Sequence, residues 1–262
     1  MLEAWLAFLA GLLAGSFLNV CIYRMPRELS VVKPRSYCPS CRRTIAWHDN
    51  IPLVSYALLR GRCRWCGAGI GWRYPLVEFV TGTFFATAVL AHGVTPQALK
   101  YCLFTALTTG LIFTDLEERI LPDEFTIGGA LAGFVFAVLA PFPQGLISLL
   151  FPADWRQRWV SLGESVFAAV ATGLAMLAVR QAYYLVRRRH GMGDADPLMV
   201  AMIGSFLGLQ PTLLVVVAGS LLGSVVGLAY VWLARKEAAD YELPFGSFLG
   251  VAALGAALFL KP

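Results

Sequence analysis

Apolar runs and short polar connectors alternate along most of this 262-residue chain. A run of about twenty apolar residues is long enough to cross ~30 Å of hydrocarbon as a helix. Counted this way, about eight spans are predicted, at roughly 2–23, 75–92, 98–115, 122–141, 162–186, 196–210, 212–234 and 245–261. The sixth is short and turns into the seventh at Gln210-Pro211. One stretch breaks the pattern, because residues 24–74 are polar, basic and rich in cysteine. The expected fold is an all-α polytopic membrane protein with a small cytoplasmic, zinc-ribbon-like insertion of four cysteines between the first two spans. Its parts are a first transmembrane helix at 1–23, the cysteine loop at 24–74 and a seven-helix membrane domain at 75–262.

Composition supports a bilayer as the partner. The chain is 58% hydrophobic and 14% charged, with a mean hydropathy of +0.68, whereas soluble domains are about a quarter charged. Leu2 to Tyr23 lacks a positive n-region, carries Glu3 and stays apolar too long for a secretory signal, so it reads as a span. Arg24, Arg27, Lys33 and Arg35 follow it at once and place its C-terminal end in the cytoplasm. Alternation then makes 24–74, 116–121, 187–195 and 235–244 cytoplasmic, and sixteen of the 21 Lys and Arg fall in those four segments. The net charge of +5 is accordingly a signal of membrane orientation and not of nucleic-acid binding. On the opposite face, Trp155 and Trp159 read as interfacial anchors. Gly219, Gly223 and Gly227 share one helical face, which permits close helix packing.

The cysteine loop holds Cys38-Pro39-Ser40-Cys41 and Cys63-Arg64-Trp65-Cys66, two C-x2-C pairs separated by twenty-one residues. That spacing matches a site where four thiolates surround Zn²⁺ tetrahedrally. Too few apolar residues lie between the pairs for an independent core, so a bound metal would supply folding energy. Disulfides are the competing reading, disfavoured in a reducing cytoplasm, and iron is a second competitor for four thiolates. His48 is a spare ligand type in a shell the cysteines already fill. Cys21 and Cys102 lie in spans and read as small hydrophobes.

Two carboxylates stand out. Asp115 closes the apolar run Leu103 to Phe113 at a helix C-terminus, where negative charge is unfavourable. Asp194 lies in His190-Gly191-Met192-Gly193-Asp194-Ala195-Asp196-Pro197, at the threshold of the next apolar run. Both fall at the cytoplasmic face. A carboxylate at the edge of a span is a functional-site hypothesis by default. Two that approach each other cannot both ionise cheaply, so one keeps a proton while the other acts as base on a water. Asp123, just after Pro122, reads instead as a helix cap, and Glu117 and Glu118 read as solvated charges. The three histidines occupy unrelated settings, which leaves no Ser or Cys nucleophile with a base beside it.

Taken together, these motifs resemble the type IV prepilin peptidases, bacterial inner-membrane leader peptidases and N-methyltransferases. The resemblance rests on Gly15-Ser16-Phe17-Leu18-Asn19-Val20, on the cysteine pairs with Asp49-Asn50-Ile51-Pro52 and Arg60-Gly61-Arg62 between them, and on Arg73-Tyr74-Pro75-Leu76-Val77-Glu78. It also rests on Asp115 with Leu121-Pro122-Asp123 and on Gly191-Met192-Gly193-Asp194. It implies a GxGD-type intramembrane aspartyl protease with Asp115 and Asp194 as the catalytic pair, supported by Asp123, Asp196, Gly191 and Gly193. Implied substrates are type IV prepilins or type II secretion pseudopilins, cut after a glycine at the cytoplasmic membrane edge. The new N-terminal residue, usually Phe, is then methylated from S-adenosylmethionine, with Glu78 as the implied cofactor contact and structural Zn²⁺ on Cys38, Cys41, Cys63 and Cys66. Two positions depart from the family pattern. Asp196 stands where the family has Lys two places after the GxGD aspartate, and Pro244-Phe245-Gly246-Ser247 replaces Pro-Phe-Gly-Pro. No glycine-rich dinucleotide fingerprint is present to carry the methyl donor, so a peptidase without methyltransferase activity is one alternative. A proton-relaying transporter is another, although its acids would lie near the bilayer midplane and its halves would repeat. A third is a scaffold whose metal loop binds a partner.

Overall fold

The computed structural model describes residues 1–142, 145–147, 157–188, 192–234 and 244–259. Trp155, His190 and Gly191 lie outside these residues. The described chain is helical, with two isolated β-bridges in the cysteine loop. It forms two compact units, Met1–Gly110 and Leu111–Pro262.

Unit 1 contains α1 (Leu2–Arg24), α2 (Val54–Leu58), α3 (Arg73–His92) and the first part of α4 (Pro96–Glu118). One face of α1 carries Trp5, Leu9, Leu13 and Phe17, spaced four apart and each more than half exposed. The opposite face buries Gly11, Gly15 and Asn19. Apolar outside and small or polar inside is the reverse of a soluble helix, and it is the pattern a lipid-facing helix requires. A Cβ on Gly11 would lie 2.7 Å from Gly82 Cα, and one on Gly15 would lie 2.6 Å from Glu78 Cα. One turn further on, Asn19 Nδ2 donates to the Tyr74 carbonyl at 3.0 Å. The seam between α1 and α3 is therefore antiparallel, pairing 11 with 82, 15 with 78 and 19 with 74. Missing side chains allow backbones to meet and set Asn19 and Glu78 one turn apart on facing helices.

Unit 2 contains the end of α4, then α5 (Asp123–Leu139), α6 (Gln157–Arg187), α7 (Asp196–Leu207), α8 (Leu209–Ala234) and α9 (Phe245–Phe259). The hub is α7, with Met199, Val200, Met202, Ile203, Ser205 and Phe206 nearly sealed from solvent. Its Gly204 meets the backbone of Ala168 on α6, and Ser165 Oγ donates to the Ser205 carbonyl at 2.7 Å. On the other side, Gly133 of α5 faces Ser205. Gly219 and Gly223 of α8 pack against Leu249 and Phe248 of α9.

Helices occur at all eight predicted runs, and α1, α3, α6 and α8 are long and apolar enough to cross a membrane. By contrast α7 has twelve residues, about 18 Å at 1.5 Å per residue. It is short because Pro197 starts it and Gly208, at φ +82°, stops it. Most of its apolar surface is covered by neighbouring helices, with Leu198 left 39% exposed, as befits a core helix.

Replacing Gly15 by Ala will lower the unfolding temperature in detergent, since overpacking at a seam costs about 1–3 kcal/mol. Replacing Gly128, whose Cβ would meet nothing within 4 Å, will raise it, because Ala is favoured over Gly inside a helix by roughly 0.5–1 kcal/mol. Thermal scans of the two variants against the parent check both signs.

Candidate functional site

In unit 1, each cysteine pair forms a knuckle of the same build. Tyr37 bridges Thr44 and Arg62 bridges Gly69. Arg42 N–H bonds the Cys38 carbonyl at 2.8 Å, and Gly67 N–H bonds the Cys63 carbonyl at 2.9 Å. Arg42 and Gly67, each one place after a second cysteine, share a left-handed backbone with φ of +57° and +70°. The tight reversal this allows turns both thiols of a pair to one point. All four sulfurs lie within 4.8 Å of one another, and Cys38 Sγ and Cys66 Sγ are 3.8 Å apart. Four sulfurs at ~2.3 Å from a tetrahedral ion are spaced about 3.8 Å apart, and a disulfide would require ~2.05 Å. The cluster can hold a metal ion as it stands.

Backbone N–H groups of Cys66 and Trp65 pull the Cys63 thiol down to about 7. At Cys66 the Ala68 N–H pulls the same way, but burial and the three neighbouring sulfurs outweigh it and push the thiol up to about 11. A bound cation is what would let all four shed their protons together. Around the cluster, Arg64 donates twice to Asp49 through Nε at 2.8 Å and Nη2 at 2.6 Å. That bond holds the Asp49 carboxyl below the ordinary carboxylate range and ties the segment between the knuckles to the second one. Glu78 is buried on α3, and its Oε2 accepts the Leu53 N–H at 2.9 Å.

In unit 2, α9 assembles the carboxylates. Gly250 sits between Ile112 of α4 and Met199 of α7, and one turn earlier Gly246 lies against the Asp115 carboxyl and Leu121. Two glycines four residues apart thus let the start of α9 close on the end of α4 and the start of α7. Ser247 N–H and Ser247 Oγ then both reach Asp115 Oδ2, at 2.6 and 2.7 Å. Asp115 is 6% exposed and Ser247 3%. The two bonds give a buried carboxyl the donors that its desolvation demands.

Asp196, like Asp115, is buried at a helix end, whereas Asp194 is exposed. Asp196 is the first residue of α7 and 3% exposed. Its Oδ2 accepts the Gly193 N–H at 2.9 Å, and a Cβ on Gly193 would stand 3.3 Å from that oxygen. Asp194 faces outward, with its side chain 86% exposed, and is ion-paired with Arg180 of α6. Asp123 is exposed in the first turn of α5, with Pro122 in the capping position. Three features of these sites were not anticipated from the sequence: the Ser247 donors, the Arg180 pair and the polar face of Asn19.

Known proteins compare as follows. Residues 9–92 match the bacterial peptidase A24 N-terminal domain and residues 102–228 the type IV leader peptidase family. The chain is 39% identical over 226 residues to the prepilin leader peptidase/N-methyltransferase of Myxococcus xanthus, covering 84% of this chain and 61% of that relative's length. It is 32% identical over 271 residues to that of Aeromonas hydrophila, covering 94% of this chain and 87% of the relative. The type 4 prepilin-like proteins leader peptide-processing enzyme of Escherichia coli is 33% identical over 98% of this chain and 93% of its own. No solved structure matches the chain. Matches that run through both compact units, to relatives covered almost end to end, make this chain a member of the type IV leader peptidase family.

Proposed function

We propose that this protein is a prepilin leader peptidase and N-methyltransferase of the bacterial inner membrane, and that Asp115 and Asp196 are its peptide-cutting pair. The observation that carries the peptidase half is two buried carboxyls at the ends of α4 and α7, each with a backbone N–H donor, on helices that both pack against the start of α9. Such a pair holds one proton between its members. The ionised member takes a proton from a water as that water attacks the carbonyl of the glycine preceding the scissile bond. The protonated member hydrogen-bonds the developing oxyanion and then protonates the departing amine. Ser247 positions Asp115 by fixing Oδ2, so that Oδ1 is the oxygen offered to the water. The Gly193 N–H does the same for Asp196.

The positive-inside distribution places this pair at the cytoplasmic surface, and all eight apolar helices are assigned to the membrane. There the basic leader of a type IV prepilin or a type II secretion pseudopilin meets its apolar helix. Both acids sit at helix ends, which favours an edge-cutting protease over a midplane proton relay. In unit 1 the metal is zinc, matched to four thiolates with tetrahedral spacing, and it fixes the cysteine loop. The methyl donor is S-adenosylmethionine, which supplies an electrophilic methyl group to the freed amine.

Cleavage of a synthetic leader peptide in detergent, read by mass spectrometry, tests the pair. Asp115→Asn and Asp196→Asn will each lower kcat by about 10²–10⁴, the usual worth of a positioned acid or base. Asp194→Asn will lower it by less than about tenfold, since it removes a solvated ion pair. An Asp194→Asn loss as large as that of Asp196→Asn would refute the assignment. Ser247→Ala will reduce kcat roughly fivefold with KM unchanged, as expected for one hydrogen bond of about 1 kcal/mol. Ser247→Pro, which also deletes the N–H, will reduce it further. Elemental analysis of the purified protein will find one zinc per chain, lost in Cys63→Ser together with the folded signal of the loop.

A further inference from the structure

Within unit 1, a cavity of about 300 Å³ opens between the cysteine loop and the facing ends of α1 and α3. It is large enough for part of a small molecule or a peptide end. Asn19, Tyr74 and Glu78 line it, together with Leu53 and Tyr56. Its basic neighbours are already engaged. Arg24 donates to the Ser30 and Pro34 carbonyls, Arg64 holds Asp49, and Arg43 lies over the Trp65 ring.

What the cavity offers is acceptors. Asn19 is 3% exposed and spends its amide N–H on the Tyr74 carbonyl, while its Oδ1 is buried with no hydrogen-bond partner. Leaving such an acceptor unmet costs about 1–3 kcal/mol. Glu78 is 8% exposed, and its donors are the Leu53 N–H and the Ser16 hydroxyl, both neutral. To deliver that N–H, Leu53 adopts φ +59°, a region a branched side chain rarely enters. The backbone thus bends unfavourably to hold a buried carboxylate at a cavity wall, and a buried carboxylate calls for a cationic counterpart.

A ligand group that suits an unmet amide oxygen and an uncompensated carboxylate must be cationic and all donor. A primary ammonium, with three N–H and no acceptor, meets both conditions. We infer that this cavity is an ammonium-binding site in which the Glu78 carboxylate and Asn19 Oδ1 receive the N–H groups of a primary amine. The inference rests on the methyltransferase half of the proposed function, because both reactants of that transfer carry such a group. One is the new N-terminus of the cut substrate, and the other is the amino-acid end of the methyl donor. If the N-terminus is the occupant, the site has a chemical role beyond holding it. An ammonium nitrogen has no free lone pair; transfer of one proton from it to the Glu78 carboxylate gives a neutral amine and a carboxylic acid. The freed nitrogen pair forms the new N–C bond as the donor's S–CH3 bond breaks, its electron pair staying on sulfur to leave a neutral thioether.

Binding measured by calorimetry in detergent separates the two occupants. One arm compares a mature peptide beginning with Phe, free or N-acetylated. The other compares S-adenosylhomocysteine with its N-acetylated form. The parent protein will prefer the free amine by about tenfold or more in at least one arm, as a hydrogen bond to a charged group implies. Glu78→Gln will abolish that preference, and Glu78→Asp, which keeps the charge, will retain most of it; unfolding temperatures will show that both variants are folded. The arm in which the preference is lost identifies the occupant. Preference for the free amine undiminished in Glu78→Gln, or absent from the parent in both arms, would overturn the inference. Methylation of a pre-cut peptide by the parent protein is measured alongside. If that fails, the methyltransferase reading falls, and the amine-binding arms still decide the site by themselves.

Discussion

Everything chemical in this protein depends on keeping carboxyl groups out of water at the ends of apolar helices. Such groups survive burial only with hydrogen-bond donors in place, and in an apolar setting the available donors are backbone N–H groups. The three at the candidate sites receive one each: Asp115 from Ser247, Asp196 from Gly193 and Glu78 from Leu53. Each donor lies in a loop or in the first turn of a helix: Ser247 in the first turn of α9 beside Gly246, Gly193 before the start of α7, and Leu53, at a positive φ, just before α2. The glycine seams serve the same end, since without Gly15 and Gly250 the helices bearing these groups could not approach.

Much of this was legible along the chain, for reasons that can be named. A helix in lipid needs a long apolar run, so runs and helices coincide closely, as 122–141 and Asp123–Leu139 show. The Cys-x2-Cys spacing is set by the reversal each knuckle makes, and it carried the whole metal cluster. Asp115 announced itself by standing where a helix dipole disfavours it. For the second acid, the glycine motif and the helix geometry point to different residues. Pro197 fits the first turn of a helix. A helix begun at 196 puts Asp196 on the stripe of Met199, Val200, Ile203 and Leu207, which is the buried face. Asp194 lies before that helix and is free to turn toward Arg180.

Long-range donors are a different matter. Ser247 lies 132 residues from Asp115, and no local pattern links them. What the sequence did carry was a departure from the resembling motif, Ser for Pro at 247, without its consequence. Pro has no N–H to give, so at this one position the chain gains both a backbone and a hydroxyl donor toward its first acid. The unmet oxygen of Asn19 was equally silent, because its partner Tyr74 lies 55 residues away on another helix.

The cysteine loop joins these observations into one physical scheme for unit 1. Between its two knuckles the chain has few apolar contacts, with Trp47, Ile51, Val54 and Leu58 all exposed. A segment so thinly packed would not hold Leu53 at an unfavourable φ by itself, since strained residues persist only where their surroundings over-determine them. Here the surroundings are the metal cluster, the Asp49–Arg64 bond that anchors the segment to its second knuckle, and the Glu78 carboxylate that receives the Leu53 N–H. A bound ion's part would therefore be positional: it would draw the four thiols together and with them the loop that holds Leu53, whose N–H meets Glu78.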